Sequence, residues 1–230
     1  MGIDPLSYNL SQPALFDFSE PSSGAMELFP AVWSAAEDLT SPEAPTRQAS
    51  LERLGEMGAP RLSPLIAYLL ATRLTDPDLN LRTSVVQVLS DVLAPDRQGH
   101  NSPEAVSRIL RTYLSQIRLR PIYALLEVVE VDGNMDRPVA RLLNCCPYGG
   151  THLAAILTER RFDIRIRQKA AHMIGLVGFL DTLPTLERMV SRLQARLNGQ
   201  QSMPFAPVEG QDESALLPDV QSALVLLKAM

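Results

Sequence analysis

Three stretches decide the fold when set one beneath another: Arg47-Gln-Ala-Ser-Leu-Glu-Arg-Leu-Gly55, Arg82-Thr-Ser-Val-Val-Gln-Val-Leu89 and Arg167-Gln-Lys-Ala-Ala-His-Met-Ile-Gly175. Each opens on an arginine, places a small or β-branched residue three positions on (Ser50, Val85, Ala170) and a large aliphatic seven positions on (Leu54, Leu89, Ile174). Gln221-Ser-Ala-Leu-Val-Leu-Leu-Lys228 fits with glutamine in the arginine's place, and Arg120-Pro-Ile-Tyr-Ala-Leu-Leu-Glu127 fits loosely. The arginines at 47, 82, 120 and 167 stand 35, 38 and 47 residues apart, the period of two-helix repeat units.

Between and around these stretches the apolar residues keep a helical period. In Pro103–Ile117, Val106, Ile109, Leu110, Tyr113, Leu114 and Ile117 fall on one face, because residues three and four apart stack on the same side of a helix. The same reading predicts helices over Glu27–Leu39, Pro45–Met57, Pro60–Thr72, Asp78–Leu93, Pro121–Val131, Thr151–Arg160, Asp163–Val177, Leu180–Leu197 and Ser214–Ala229, with a short one at Arg137–Cys145. Leu125–Val131 is the one β-tolerant run, and its context is helical. Aromatic residues make up only 5% of the chain, lean for strands, which favour them. The expected class is all-α.

These residues resemble HEAT-like (PBS-lyase-type) repeats. An acid four residues before the arginine, Ala/Val pairs, leucine, glycine and a proline-opened second helix appear most fully over Glu43–Leu70 and Asp163–Met189. Asp78 and Arg82 repeat the acid–arginine pair. The resemblance spans Glu27–Met230 and implies a right-handed α-α superhelix, an α-solenoid of about four to five helical hairpins. In such families the acid and arginine resemble a ladder from one turn to the next. Asp78–Arg82 and Asp163–Arg167 also suit pairing one helical turn apart.

The expected organisation is a tail at 1–25, the repeats at 26–197, a Pro/Gly-rich linker at 198–213 and a capping or docking helix at 214–230. The tail carries an apolar island, Ala14–Phe18, and the linker carries Met203 and Phe205. Leu216, Leu217, Leu224, Leu226 and Leu227 leave the last helix little polar surface, so docking or oligomerisation through this end is expected. Cys145 and Cys146 are adjacent, a poor geometry for a disulfide. No basic, apolar leader opens the chain, and the expected location is cytoplasmic.

Charge is distributed unevenly. The net charge is −5, made of −8 over residues 1–107, +5 over 108–169 and −2 over 170–230. The acidic total argues against a generic nucleic-acid binder, which needs a surplus of basic residues. The basic middle suits an acidic protein segment or a phosphate group. The surface expected to bind a partner is Arg108, Arg111 and Arg118, continuing to Arg188 and Arg192.

A catalytic constellation is not evident. Cys145, Cys146 and His152 supply three metal-type ligands where zinc needs about four, so neither a metal nor any other cofactor is expected. No phosphate-binding Gly-rich motif occurs. Gly149-Gly150-Thr151 reads as a turn with a threonine cap. Trp33 falls in a packing helix and His172 on a repeat helix. The function expected from these observations is a non-catalytic scaffold or adaptor binding a protein or peptide. The alternatives are a nucleic-acid-binding solenoid of the DNA glycosylase type and a regulatory subunit of an enzyme. Bilin lyases share such repeats, but nothing here marks a tetrapyrrole site.

Overall fold

The computed structural model describes residues 29–197 and 213–229. Twelve α-helices follow one another there, with no strand among the described residues. They are α1 (Pro30–Asp38), α2 (Ala44–Glu56), α3 (Ala59–Leu62), α4 (Pro64–Thr72), α5 (Leu79–Leu93) and α6 (Glu104–Ser115). Then come α7 (Leu119–Val131), α8 (Asp136–Leu143), α9 (Gly149–Thr158), α10 (Ile164–Val177), α11 (Leu183–Leu197) and α12 (Leu217–Lys228). The tail expected over 1–25, with its island Ala14–Phe18, lies outside the described residues, as do Met203 and Phe205.

Local chemistry sets the helix ends. Asp78 and Asp163 accept hydrogen bonds from the backbone N–H groups of Leu81 and Arg165, satisfying donors that the first helical turn leaves open. Gly178 ends α10 at φ 86°, a left-handed conformation that glycine adopts without steric cost. The helix expected over Pro60–Thr72 is broken in two. Ser63 stands extended at φ −113°, ψ 118° between α3 and α4, because the ring of Pro64 disfavours a helical residue before it. Its hydroxyl then caps α4 by accepting from the N–H of Ile66.

The longer helices share one core. α2 packs on α5, α5 on α7, α7 on α10 and α10 on α12. Against these lie α1 on α2, α4 on α5 and α6, α8 on α5, α9 on α10 and α11 on α12. A single apolar cluster runs from Val32 to Leu227, through Leu54, Ile66, Leu89, Leu125 and Ile174. Trp33, expected on a packing helix, is 48% exposed, and α1 is seated through Val32, Ala35 and Ala36. Ile109, expected on the buried face of α6, is 38% exposed.

The arginine pattern holds at three helices and shifts at a fourth. The backbone N–H groups of Arg47, Arg82 and Arg167 each bond the carbonyl four residues back, at Glu43, Asp78 and Asp163. In α7 the same bond is made by Ile122 to Arg118. The third unit therefore carries a fully buried isoleucine where the arginine would stand, and Arg120 is exposed. Pro121 caused the misalignment: it sits within the first turn of α7, where its missing N–H has no intrahelical partner to lose. Gln221, aligned with the arginines, is exposed too, while Val220 beside it is buried.

Candidate functional site

The arginines of the pattern reach across to other helices. Arg47 Nη2 lies 2.7 Å from Asp76 Oδ1, with both side chains under 8% exposed, and its Nη1 donates to the carbonyls of Ser41 and Pro42. Arg82 pairs with Glu127 of α7. Arg167 Nη2 lies 2.9 Å from Glu213 Oε1. The acids expected to pair within one turn, Asp78 and Asp163, are helix caps, and the arginines turn to carboxylates 29 to 46 residues on. A buried guanidinium needs an ionised partner to offset its lost hydration, and the cap carboxylates are committed to N–H groups.

Glu213 is the most heavily shared of these acids. Its Oε1 accepts from Arg167, and its Oε2 lies 2.6 Å from Arg196 Nη1 and 3.2 Å from Arg160 Nη2. Burial alone would raise its pKa. The hydrogen bond from Arg167 and the charges of Arg160, Arg167 and Arg192 outweigh that and hold the carboxyl below the ordinary glutamate range. The linker expected over 198–213 thus ends on an anchored residue. Glu213 opens a short turn, Glu213–Leu216, whose Ala215 carbonyl accepts from Gln168 of α10. No constant spacing in the sequence singles it out: Asp76 precedes Arg82 by six residues and Glu213 precedes Gln221 by eight, but Glu127 follows Ile122 by five.

The five arginines expected to bind a partner fall into two groups. Arg108 and Arg111 are exposed on α6, and Arg118 is exposed at the entry to α7. Beside the first two, Tyr113 stands edge-on to Tyr68 with ring centroids 5.6 Å apart. Burial raises the Tyr113 pKa, and Tyr68 adds to the effect. Arg188 and Arg192 belong to α11 and line a cleft of about 610 Å³ with Thr151, Thr158, Asp181 and Thr185. Of the five, Arg188 and Arg192 line that cleft and the arginines of α6 do not.

Gly149 and Gly150 do not form a turn capped by Thr151; they are the first two residues of α9. A methyl group on Gly150 would lie 2.6 Å from Asp181 Oδ1, and one on Gly149 would lie 2.7 Å from Phe179 Cζ. The glycines admit the Phe179–Asp181 segment against the start of the helix.

The thiols are unsuited to nucleophilic work. Burial raises Cys145 despite the charge of Arg111, and burial with the neighbouring Cys145 pushes Cys146 up to about 12. A thiol reacts as its thiolate, which these environments disfavour. No cluster of three or more His, Cys, Asp or Glu side chains suited to a metal occurs among the described residues. His172 Nε2 lies 2.8 Å from Asp136 Oδ2, joining α10 to α8. In α12, Leu216 before it and Leu227 within it enter the core, while Leu226 and Val225 are 43% and 66% exposed. No described helix is long and apolar enough to cross a membrane. No family model, curated protein or solved structure matches the chain.

Proposed function

We propose that the chain is a small α-solenoid of HEAT-like helix pairs acting as a non-catalytic scaffold for a partner protein or peptide. The observation that carries this reading is the repeated tie of Arg47 to Asp76, Arg82 to Glu127 and Arg167 to Glu213. Ties of this kind link three of the units to later ones. The single apolar cluster from α1 to α12 supports the same reading, since paired helices that cannot bury their faces alone share a core when stacked. Partner binding is assigned to the exposed Arg108, Arg111 and Arg118 on one surface, and to the exposed Arg188 with the half-buried Arg192 on the other. Planar guanidinium groups suit carboxylate and phosphate partners through paired hydrogen bonds.

The test is affinity capture from source-cell lysate, with and without nuclease, using the wild-type chain and the triple variant Arg108→Glu, Arg111→Glu, Arg118→Glu. The expected result is a protein retained in both halves by the wild type and lost by the variant. The variant's stability should stay within about 0.5 kcal/mol of wild type, as for solvated surface positions. Retention unchanged by charge reversal removes α6 from the binding surface. Retention abolished by nuclease replaces this reading with nucleic-acid binding, whose affinity would fall steeply with salt.

A further inference from the structure

We propose that the cleft between α9 and α11 binds a phosphoryl group, with Arg188 and Arg192 as its cationic ligands. Three observations converge on it. First, Nε and Nη2 of Arg192 are shielded from solvent and have no hydrogen-bond partner. Unpaired buried donors are rare and costly. Swinging this guanidinium toward an entering oxyanion breaks no existing hydrogen bond.

Second, the local charges do not balance. Glu213 is already held by Arg167, Arg196 and Arg160, so Arg192 acts on it through charge alone and is bonded to no carboxylate. Among the described residues the carboxylate that lines the cleft is Asp181, which packs over Gly150 at the start of α9. At the cleft itself two arginines face one acid, a surplus of positive charge that an entering phosphoryl group fills.

Third, the donors are pre-set. Arg188 Nε donates to the Pro184 carbonyl and its Nη2 donates to Thr185 Oγ1, fixing the plane of the guanidinium. The Thr185 hydroxyl accepts that bond and keeps its own proton to donate. Pre-organised donors of this kind lose little freedom on binding.

This inference deepens the scaffold reading by naming the chemistry of one of its two surfaces. The phosphoryl group could come from free phosphate or from a phosphorylated side chain of the partner. The test is titration calorimetry of the full chain with inorganic phosphate, against potassium chloride at matched ionic strength. Phosphoserine peptide and its unphosphorylated counterpart form the second arm.

The expected result is saturable binding of phosphate beyond the chloride response, weakened about tenfold by Arg192→Gln and again by Arg188→Gln, as for loss of one charge-assisted contact. The melting temperature of Arg192→Gln without phosphate should stay close to that of wild type, because the substitution breaks no hydrogen bond of Nε or Nη2. Tighter binding of the phosphopeptide than of phosphate identifies a phosphorylated segment as the source, and equal binding identifies the free ion. Absence of saturable binding, or equal binding by wild type and the double variant, overturns the proposal. Phosphate binding without any retained protein would leave the site standing and remove the scaffold reading alone.

Discussion

Arg167 Nη2 and Glu213 Oε1 lie 2.9 Å apart across 46 residues of chain, with the two side chains 1% and 6% exposed. The pair sits at a junction of four helices. Arg167 belongs to α10 and its Nε donates to the carbonyl of Leu157 in α9. Glu213 leads into α12, and its second oxygen takes Arg196 of α11. Burying two charges costs several kcal/mol per ion before their attraction is counted. Here each buried charge meets more than one polar partner, which is the condition under which such a pair holds.

Replacing Glu213 by alanine should therefore do more than delete a contact. It leaves Arg167 buried and charged with no counter-ion, and the expected loss is about 3–5 kcal/mol. Urea unfolding of the variant measures it. Adding Arg167→Met should recover most of that loss, since an apolar side chain of similar length carries no charge to desolvate. A loss under about 1 kcal/mol, the scale of an exposed pair, would mean that the carboxylate is solvated and ties nothing.

The same pair sets a direction for acid unfolding. The pKa of Glu213 is lowered in the folded chain from its ordinary value near 4.5. The folded state therefore prefers the ionised carboxyl. Its contribution is fully present above that ordinary value and is lost as pH falls through the lower, folded value. Wild-type stability should drop over that acidic window. Glu213→Gln should start lower at neutral pH and fall less steeply on acidification. Parallel pH profiles for the two proteins would contradict the assignment.

The helices were legible because their faces are periodic. α5 and α10, with their caps Asp78 and Asp163, begin one residue from where the pattern places them. The break at Ser63 escapes that reading: Pro64 marks it, but the period predicts one helix over Pro60–Thr72. The third unit was misread because alignment on arginine favoured Arg120, whereas the buried position belongs to Ile122. A pattern built on one residue type fails where the fold substitutes an apolar side chain for an ion pair. At the candidate site, Arg188 and Arg192 were legible as basic residues on one helix. Their cleft was not, because it depends on α9 lying alongside α11, a relation that no local spacing encodes. Glu213 was hidden for the same reason: flanking glycine and proline mark a linker, and only the packing of α10 against α12 reveals the anchor.

Gly55 and Gly175 occupy the same place in the repeated pattern, and the structure assigns them opposite mutational behaviour. Nothing stands within 4 Å of a methyl group added at Gly55, near the end of α2. Alanine there should stabilise the chain by up to about 1 kcal/mol, because glycine has more conformational freedom to lose within a helix. At Gly175 the added methyl would stand 2.8 Å from the Cα of Ala223 and 3.1 Å from Leu226 Cδ1. One of those neighbours is backbone and cannot rotate away, so α12 would have to move off α10. Gly175→Ala should destabilise by about 1–3 kcal/mol, the usual range for overpacking, and should increase proteolysis of the C-terminal helix. Thermal melts of the two single variants decide it. Equal and small shifts would mean that α10 and α12 are not in close contact at this crossing, and the tie through Glu213 would then have to hold the last helix alone.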